Sequence, residues 1–121
     1  MNILTFDIED WYNCDFITQD FNWDKYEVRI YEGVDRILKE LDNRQLKATF
    51  FCLGWIAEKH PDVIRKIHAQ GHHIGCHSYQ HELTFRFDRI SFKQDTEKAK
   101  KLIEDVIGEK IDAFRAPGFS I

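Results

Sequence analysis

Apolar residues along this chain change period repeatedly, and the changes mark alternating strands and helices. Asn2 to Asp7, NILTFD, is a short apolar run that ends abruptly in acids, which predicts a buried strand whose C-terminal end reaches a polar surface. Ile8 to Tyr31 is aromatic and acidic with no sustained period, and reads as a long excursion whose tail turns helical. Between Tyr31 and Leu41, the residues Val34, Ile37, Leu38 and Leu41 fall on one helical stripe, so a helix should end near Asn43. Lys47 to Leu53, KATFFCL, is continuously apolar after its lysine, the pattern of a strand covered on both faces. Gly54 opens a second helix; Pro61, followed by Val63, Ile64 and Ile67 at helical spacing, predicts a kink or two short helices with the proline in a first turn. Gly71 is the expected C-cap, and His73 to Cys76 a very short third strand. Ser91 with Gln94 reads as a capping box for a helix carrying Ala99, Leu102, Ile103, Val106 and Ile107 on one face and ending at Gly108. Ile111 to Arg115 is the fourth strand, running into APGFS.

Strand and helix thus alternate with short returns, the pattern of parallel βαβ units in an α/β fold. Such sheets gather ligands at the carboxyl ends of their strands. The polar clusters fall there: Asp7, Glu9 and Asp10 after the first strand, His77 and His81 after the third, Arg115 closing the fourth.

Composition narrows the function classes. At 121 residues the chain is one domain at most, and a hydrophobic content of 43%, with ten phenylalanines, supports a substantial core. A net charge of −4, with both signs scattered, gives no footprint for nucleic acid or an anionic membrane. Cys14, Cys52 and Cys76 lack CxxC spacing and read as reduced thiols. No secretory leader and no apolar stretch of spanning length stands out, so the expected location is cytoplasmic.

CHSYQHE, Cys76 to Glu82, sets two histidines four residues apart, close enough for both imidazoles to face one point. Alone this is a weak signal, since paired histidines at strand ends are often satisfied by backbone carbonyls. The acids of TFDIEDW change the balance, because carboxylates packed at a strand end repel one another unless a cation or an arginine compensates. Arg115 can hold a carboxylate in a bidentate pair, and Pro117 with Gly118 shapes a rigid turn. Two histidines and one carboxylate form a zinc-type set with a position left for water, and a second carboxylate can serve as general base. Glu9 and Asp10 both remain candidates for the acidic ligand, with a solvated loop as the alternative for Asp10 and for Asp15.

TFDIED, HSYQH and RAPGFS, in this order and each at a strand end, resemble the first three motifs of the polysaccharide deacetylases, the NodB-homology or carbohydrate esterase 4 family. His77, Ser78 and His81 match the family's H(S/T)xxH motif in full. The resemblance implies a fold forming about half of a distorted (β/α) barrel, with Asp7 as general base oriented by Arg115, and His77, His81 and either Glu9 or Asp10 holding a divalent metal. That metal would be zinc, with cobalt or nickel as alternatives. Ser78 would brace the histidine loop; Tyr79, Pro117, Gly118 and Phe119 would line the carbohydrate site, with an oxyanion N–H from Gly118. The reaction implied is hydrolysis of an N-acetyl group from an aminosugar. Alternatives are hydrolysis of another C–N bond, as in the allantoinase-like branch, and a silent sugar-binding module.

Three departures accompany the match. Ile8 stands where the family has a second aspartate, and Gly118 replaces the aromatic residue usual after the proline. The last two family motifs are absent from the 121 residues, so the chain is expected to be an N-terminal part of the domain, poorly active by itself, whose exposed half-barrel edge either pairs with another copy or leaves it marginally soluble.

Overall fold

The computed structural model describes residues 1–18 and 20–121. Its sheet comprises β1 (Thr5–Ile8), β2 (Thr49–Cys52) and β3 (His73–Cys76), parallel and in that order, with Thr5 opposite Thr49 and Thr49 opposite His73. The helices α1 (Ile30–Asn43), α2 (Gly54–Lys59), α3 (Pro61–Ala69) and α4 (Arg89–Ile107) make the returns.

Alternation along each strand sorts the side chains onto two faces. Phe6, Ile8, Phe50, Cys52, Ile74 and Cys76 join the helices in the core, together with Val34, Leu38, Ile56, Ile64, Ile67, Ala99 and Ile103. The opposite face carries Thr5 and Asp7 of β1, Thr49 and Phe51 of β2, and His73 and Gly75 of β3. Asp7 therefore rises from the face that the helices leave uncovered.

The predicted fourth strand, Ile111 to Arg115, is reduced to one parallel bridge between Phe114 and Cys76. Cys76 N–H donates to the Ala113 carbonyl at 2.8 Å and Arg115 N–H to the Cys76 carbonyl at 2.9 Å. Pro117 follows two residues later and carries no N–H to extend the ladder. Short as it is, this pairing fixes Arg115 beside β3.

Pro61 starts α3 as its N1 residue, so the kink is resolved as two helices. The capping box of α4 lies three residues earlier than Ser91 with Gln94: Asp88 is the cap, its carboxylate accepting from Ser91 N–H at 2.7 Å while Ser91 Oγ accepts from Asp88 N–H at 3.0 Å. Gly108, at φ 75°, closes that helix as expected.

The long excursion after β1 is ordered by aromatic packing. Tyr12 and Trp23 are buried, and the Trp23 and Trp55 rings meet edge to face at 5.0 Å, with Tyr12 stacked on Tyr26 at 5.3 Å. Among the described residues, no helix is long and apolar enough to cross a membrane.

Candidate metal centre and acid–base site

The HSYQH loop is a tight turn rather than a helical one. Ser78 and His81 both adopt left-handed backbone conformations, φ 70° and 60°, and Ser78 Oγ accepts the His81 N–H at 3.0 Å. The first amides of α2 lock the loop from below: Gly54 N–H donates to the Ser78 carbonyl and Trp55 N–H to that of Tyr79, at 2.9 and 2.8 Å. Two imidazoles are thereby brought together, their rings 5.1 Å apart.

His77 is 1% exposed, and its Nδ1 donates to the Arg115 carbonyl at 2.7 Å. That bond places the proton on Nδ1 and leaves the Nε2 lone pair facing the acids. Burial pushes the His77 pKa below the ordinary imidazole value, against the opposite pull of Asp7. A neutral imidazole is the form that can bind a metal.

Glu9 Oε2 lies 3.1 Å from His81 Nε2 and 3.9 Å from His77 Nε2. Ligands about 2 Å from one tetrahedral ion sit about 3.3 Å from each other, so these separations bracket what a zinc-sized ion requires. The ligand atoms of Glu9, His77 and His81 all lie within 4.8 Å of one another. Glu9 Oε2 and His77 Nε2 are moreover buried without a hydrogen-bond partner among the described residues, a costly arrangement that a cation would relieve. The donor set thus fits a divalent metal.

Asp7 stands beside this cluster with its two oxygens in different surroundings. Oδ1 accepts from Arg115 Nη1 at 2.7 Å, while Oδ2 lies 3.6 Å from His77 Nε2. Arg115 does not form the bidentate pair that its guanidinium suggested: its Nη2 donates instead to Thr5 Oγ1 at 2.6 Å. The guanidinium is also stacked, 4.3 Å from the Phe51 ring centroid and 5.6 Å from that of Phe119. Phe51 can occupy that place because its neighbour in β3 is Gly75, where a Cβ would come within 2.8 Å of the Phe51 ring.

Asp10 is turned away from the cluster. It is buried, caps the turn that follows β1, and its Oδ2 accepts from Arg29 N–H at 2.7 Å and Ile30 N–H at 3.0 Å. Its carboxylate thus serves the unsatisfied amides at the start of α1, which explains why Glu9, not Asp10, joins the histidines. Tyr79 also points elsewhere: its hydroxyl donates to Glu58 and its ring lies under Lys98 Nζ, in the seam between α2 and α4. There it gains a cation–π contact and burial that the open rim cannot offer.

Pro117 is buried, whereas Phe119 is 79% exposed over Arg115. Gly118 has φ 59°, and an added Cβ would also press on Leu83 at 3.1 Å, so a side chain is disfavoured there twice over. This accounts for glycine where an aromatic residue was expected.

Four contacts were not foreseen from the sequence. Thr5 shares Arg115; the Cys14 thiol, with its pKa pushed up to about 12 by burial and by Glu9, donates to Glu9 Oε1 at 3.4 Å; Asp15 Oδ1 lies 3.7 Å from His81 Nδ1; and Arg86 stands 4.0 Å from Asp15. The period-two alternation puts Thr5 on the face of Asp7 and could have flagged it. Cys14, Asp15 and Arg86 sit on aperiodic segments that carry no such signal.

A family model described as polysaccharide deacetylase matches residues 3–121. A peptidoglycan-N-acetylglucosamine deacetylase of Bacillus cereus is 31% identical over 86 residues, covering 71% of this chain and 31% of that protein. Among solved structures, a peptidoglycan N-acetylglucosamine deacetylase in complex with a hydroxamate-type benzamide superposes with a TM-score of 0.76 at 27% identity, over 98% of this chain and 47% of that one. A mutant of a CE4 family pseudoenzyme with restored enzymatic activity superposes with a TM-score of 0.74 at 25% identity, over 98% of this chain and 37% of that one. The chain spans about a third of the length of the curated relatives it matches.

Proposed function

The chain belongs to the polysaccharide deacetylase family, and we propose that the domain it contributes to removes N-acetyl groups from an aminosugar of a polysaccharide or glycan, using a divalent metal. The observation that carries this reading is the division of labour between two carboxylates: Asp7, with one oxygen tied to Arg115 at 2.7 Å, and Glu9, with one buried oxygen turned to both histidines.

Glu9, His77 and His81 would hold the metal, zinc first and cobalt or nickel as alternatives, supplying Lewis acidity to the amide carbonyl and to water. Asp7 Oδ2 takes the proton from the attacking water, and Arg115 keeps that oxygen directed at the centre by occupying the other. His77 stays neutral because its Nδ1–H is held by the Arg115 carbonyl and burial opposes a second proton. Addition of water to the carbonyl carbon gives a tetrahedral intermediate; the C–N bond then breaks as the amide nitrogen takes up the proton held by Asp7, releasing acetate and the free amine. Phe119, exposed on the rim above Arg115, offers a sugar ring an apolar face.

Acetate release from N-acetylglucosamine oligomers by the complete domain, assayed with added zinc, tests the reading. Asp7→Asn should abolish release while metal is retained; loss of metal in that variant would mean that base and ligand have been exchanged. A second reading, a glycan-binding module without turnover, draws on Ile8 at the place of the second aspartate. Oligomer binding by a zinc-loaded protein that releases no acetate would favour it.

A further inference from the structure

We propose that Asp15 is a positioning residue, the outer carboxylate that holds His81 in the tautomer able to bind metal; this rests on the assignment of Glu9, His77 and His81 as the metal site. The two histidines differ in what secures their remote nitrogen. His77 Nδ1 donates to a fixed acceptor, the Arg115 carbonyl at 2.7 Å. His81 Nδ1 is buried, makes no hydrogen bond among the described residues, and has Asp15 Oδ1 at 3.7 Å.

The tautomer of His81 is contested by two acids. With the proton on Nε2, His81 would present an N–H to the Glu9 carboxylate, whose Oε2 is 3.1 Å away, and its ligating lone pair would be lost. With the proton on Nδ1, the ring faces Asp15 with a donor and offers Nε2 to the metal. Ligating histidines usually direct their other N–H at such an outer acceptor, which fixes the ring and raises ligand basicity.

Asp15 is placed for this by its own turn, in which Ile17 and Thr18 N–H both donate to the Cys14 carbonyl at 3.0 and 3.1 Å. Arg86 Nη2 stands 4.0 Å from Asp15 Oδ2, a cation on the far side of the carboxylate. The same turn sets the Cys14 thiol on Glu9 Oε1, so adjacent residues steady two different members of the cluster.

Two readouts test the proposal: zinc affinity by competition with a chromophoric chelator, and the His81 tautomer from imidazole ¹⁵N shifts of zinc-free protein. Asp15→Ala should weaken zinc binding about 10- to 100-fold and move the His81 proton from Nδ1 toward Nε2. Asp15→Asn, which retains an acceptor oxygen and the shape of the turn, should weaken it about fivefold, and decides the matter if the alanine variant does not fold. Zinc affinity within about twofold of wild type in both variants, with an unchanged tautomer, overturns the proposal. Wild-type protein that binds no zinc overturns the metal assignment itself, and the tautomer of the zinc-free variants still decides the role of Asp15.

Discussion

Arg115 Nη1 donates to Asp7 Oδ1 at 2.7 Å across 108 residues of sequence, and the other arm of the guanidinium reaches Thr5, two residues before Asp7 on the same strand face. One arginine thus clamps the carboxylate and its strand together, leaving a single Asp7 oxygen turned to the histidines. The Phe51 ring beneath it supplies a rigid floor.

Arg115→Lys is therefore not conservative, because one ammonium cannot span Thr5 and Asp7 or stack flat on Phe51. The variant should lose about 1 kcal/mol of stability in urea unfolding, since the pair is part-exposed, and at least about tenfold in acetate release. Zinc stoichiometry should be unchanged, as Arg115 side-chain atoms touch none of the three ligands.

Glu9 and Asp10 are neighbours with separable roles. Glu9→Gln should reduce zinc affinity more than about tenfold with little loss of zinc-free stability, because it neutralises a part-buried carboxylate whose Oε2 has no hydrogen-bond partner among the described residues. Asp10→Ala should cost about 2 kcal/mol or more, since it strips the acceptor from the Arg29 and Ile30 amides, while zinc stoichiometry stays at the wild-type value. Unfolding curves and metal analysis on the same samples separate the two outcomes.

The strand alternation, the two-helix return at Pro61 and the convergence of three strand ends were legible from periodicity, because buried faces leave a period of two or 3.6. The division between Glu9 and Asp10 was not: both acids follow the same strand, and only the position of the α1 amides, 19 and 20 residues on, shows where Asp10 is engaged. The place of Tyr79 was not legible either, because its motif says nothing of Ser78, whose left-handed backbone precedes a residue engaged with α4. The fourth strand looked long on apolar content alone, whereas ladder length depends on partners and on the proline that follows.

Stability of the zinc-free protein should depend on pH through His72. Its Nδ1 accepts from Ala48 N–H at 3.2 Å, and burial, followed by the charge of Lys47, lowers its pKa below the ordinary value. The folded chain thus resists a proton that the unfolded chain takes up near pH 6.5, so stability is full above that pH and falls as the pH drops toward the lowered value. His77 contributes with the same sign. His72→Gln should flatten, without abolishing, the loss of unfolding free energy between about pH 7.5 and 5.5 in the presence of chelator.

Gly75→Ala should act on the site from beneath. Its Cβ would meet Phe51 Cδ1 at 2.8 Å and the Ala113 carbonyl at 3.1 Å, so either the ring that supports Arg115 or the bridge that positions it must shift. A loss of about 1–3 kcal/mol is expected on thermal or urea unfolding, together with reduced acetate release. Activity unaffected by the substitution would show that Phe51 is not needed as a floor.

The central claim, that Glu9, His77 and His81 form a metal centre, is tested most directly by zinc content. Purified wild-type protein, dialysed at neutral pH and analysed by mass spectrometry, should retain about one zinc per chain. His77→Ala, His81→Ala and Glu9→Gln, each verified as folded, should retain little or none under the same dialysis. Wild-type protein free of zinc, or ligand variants that keep as much as wild type, would contradict the account.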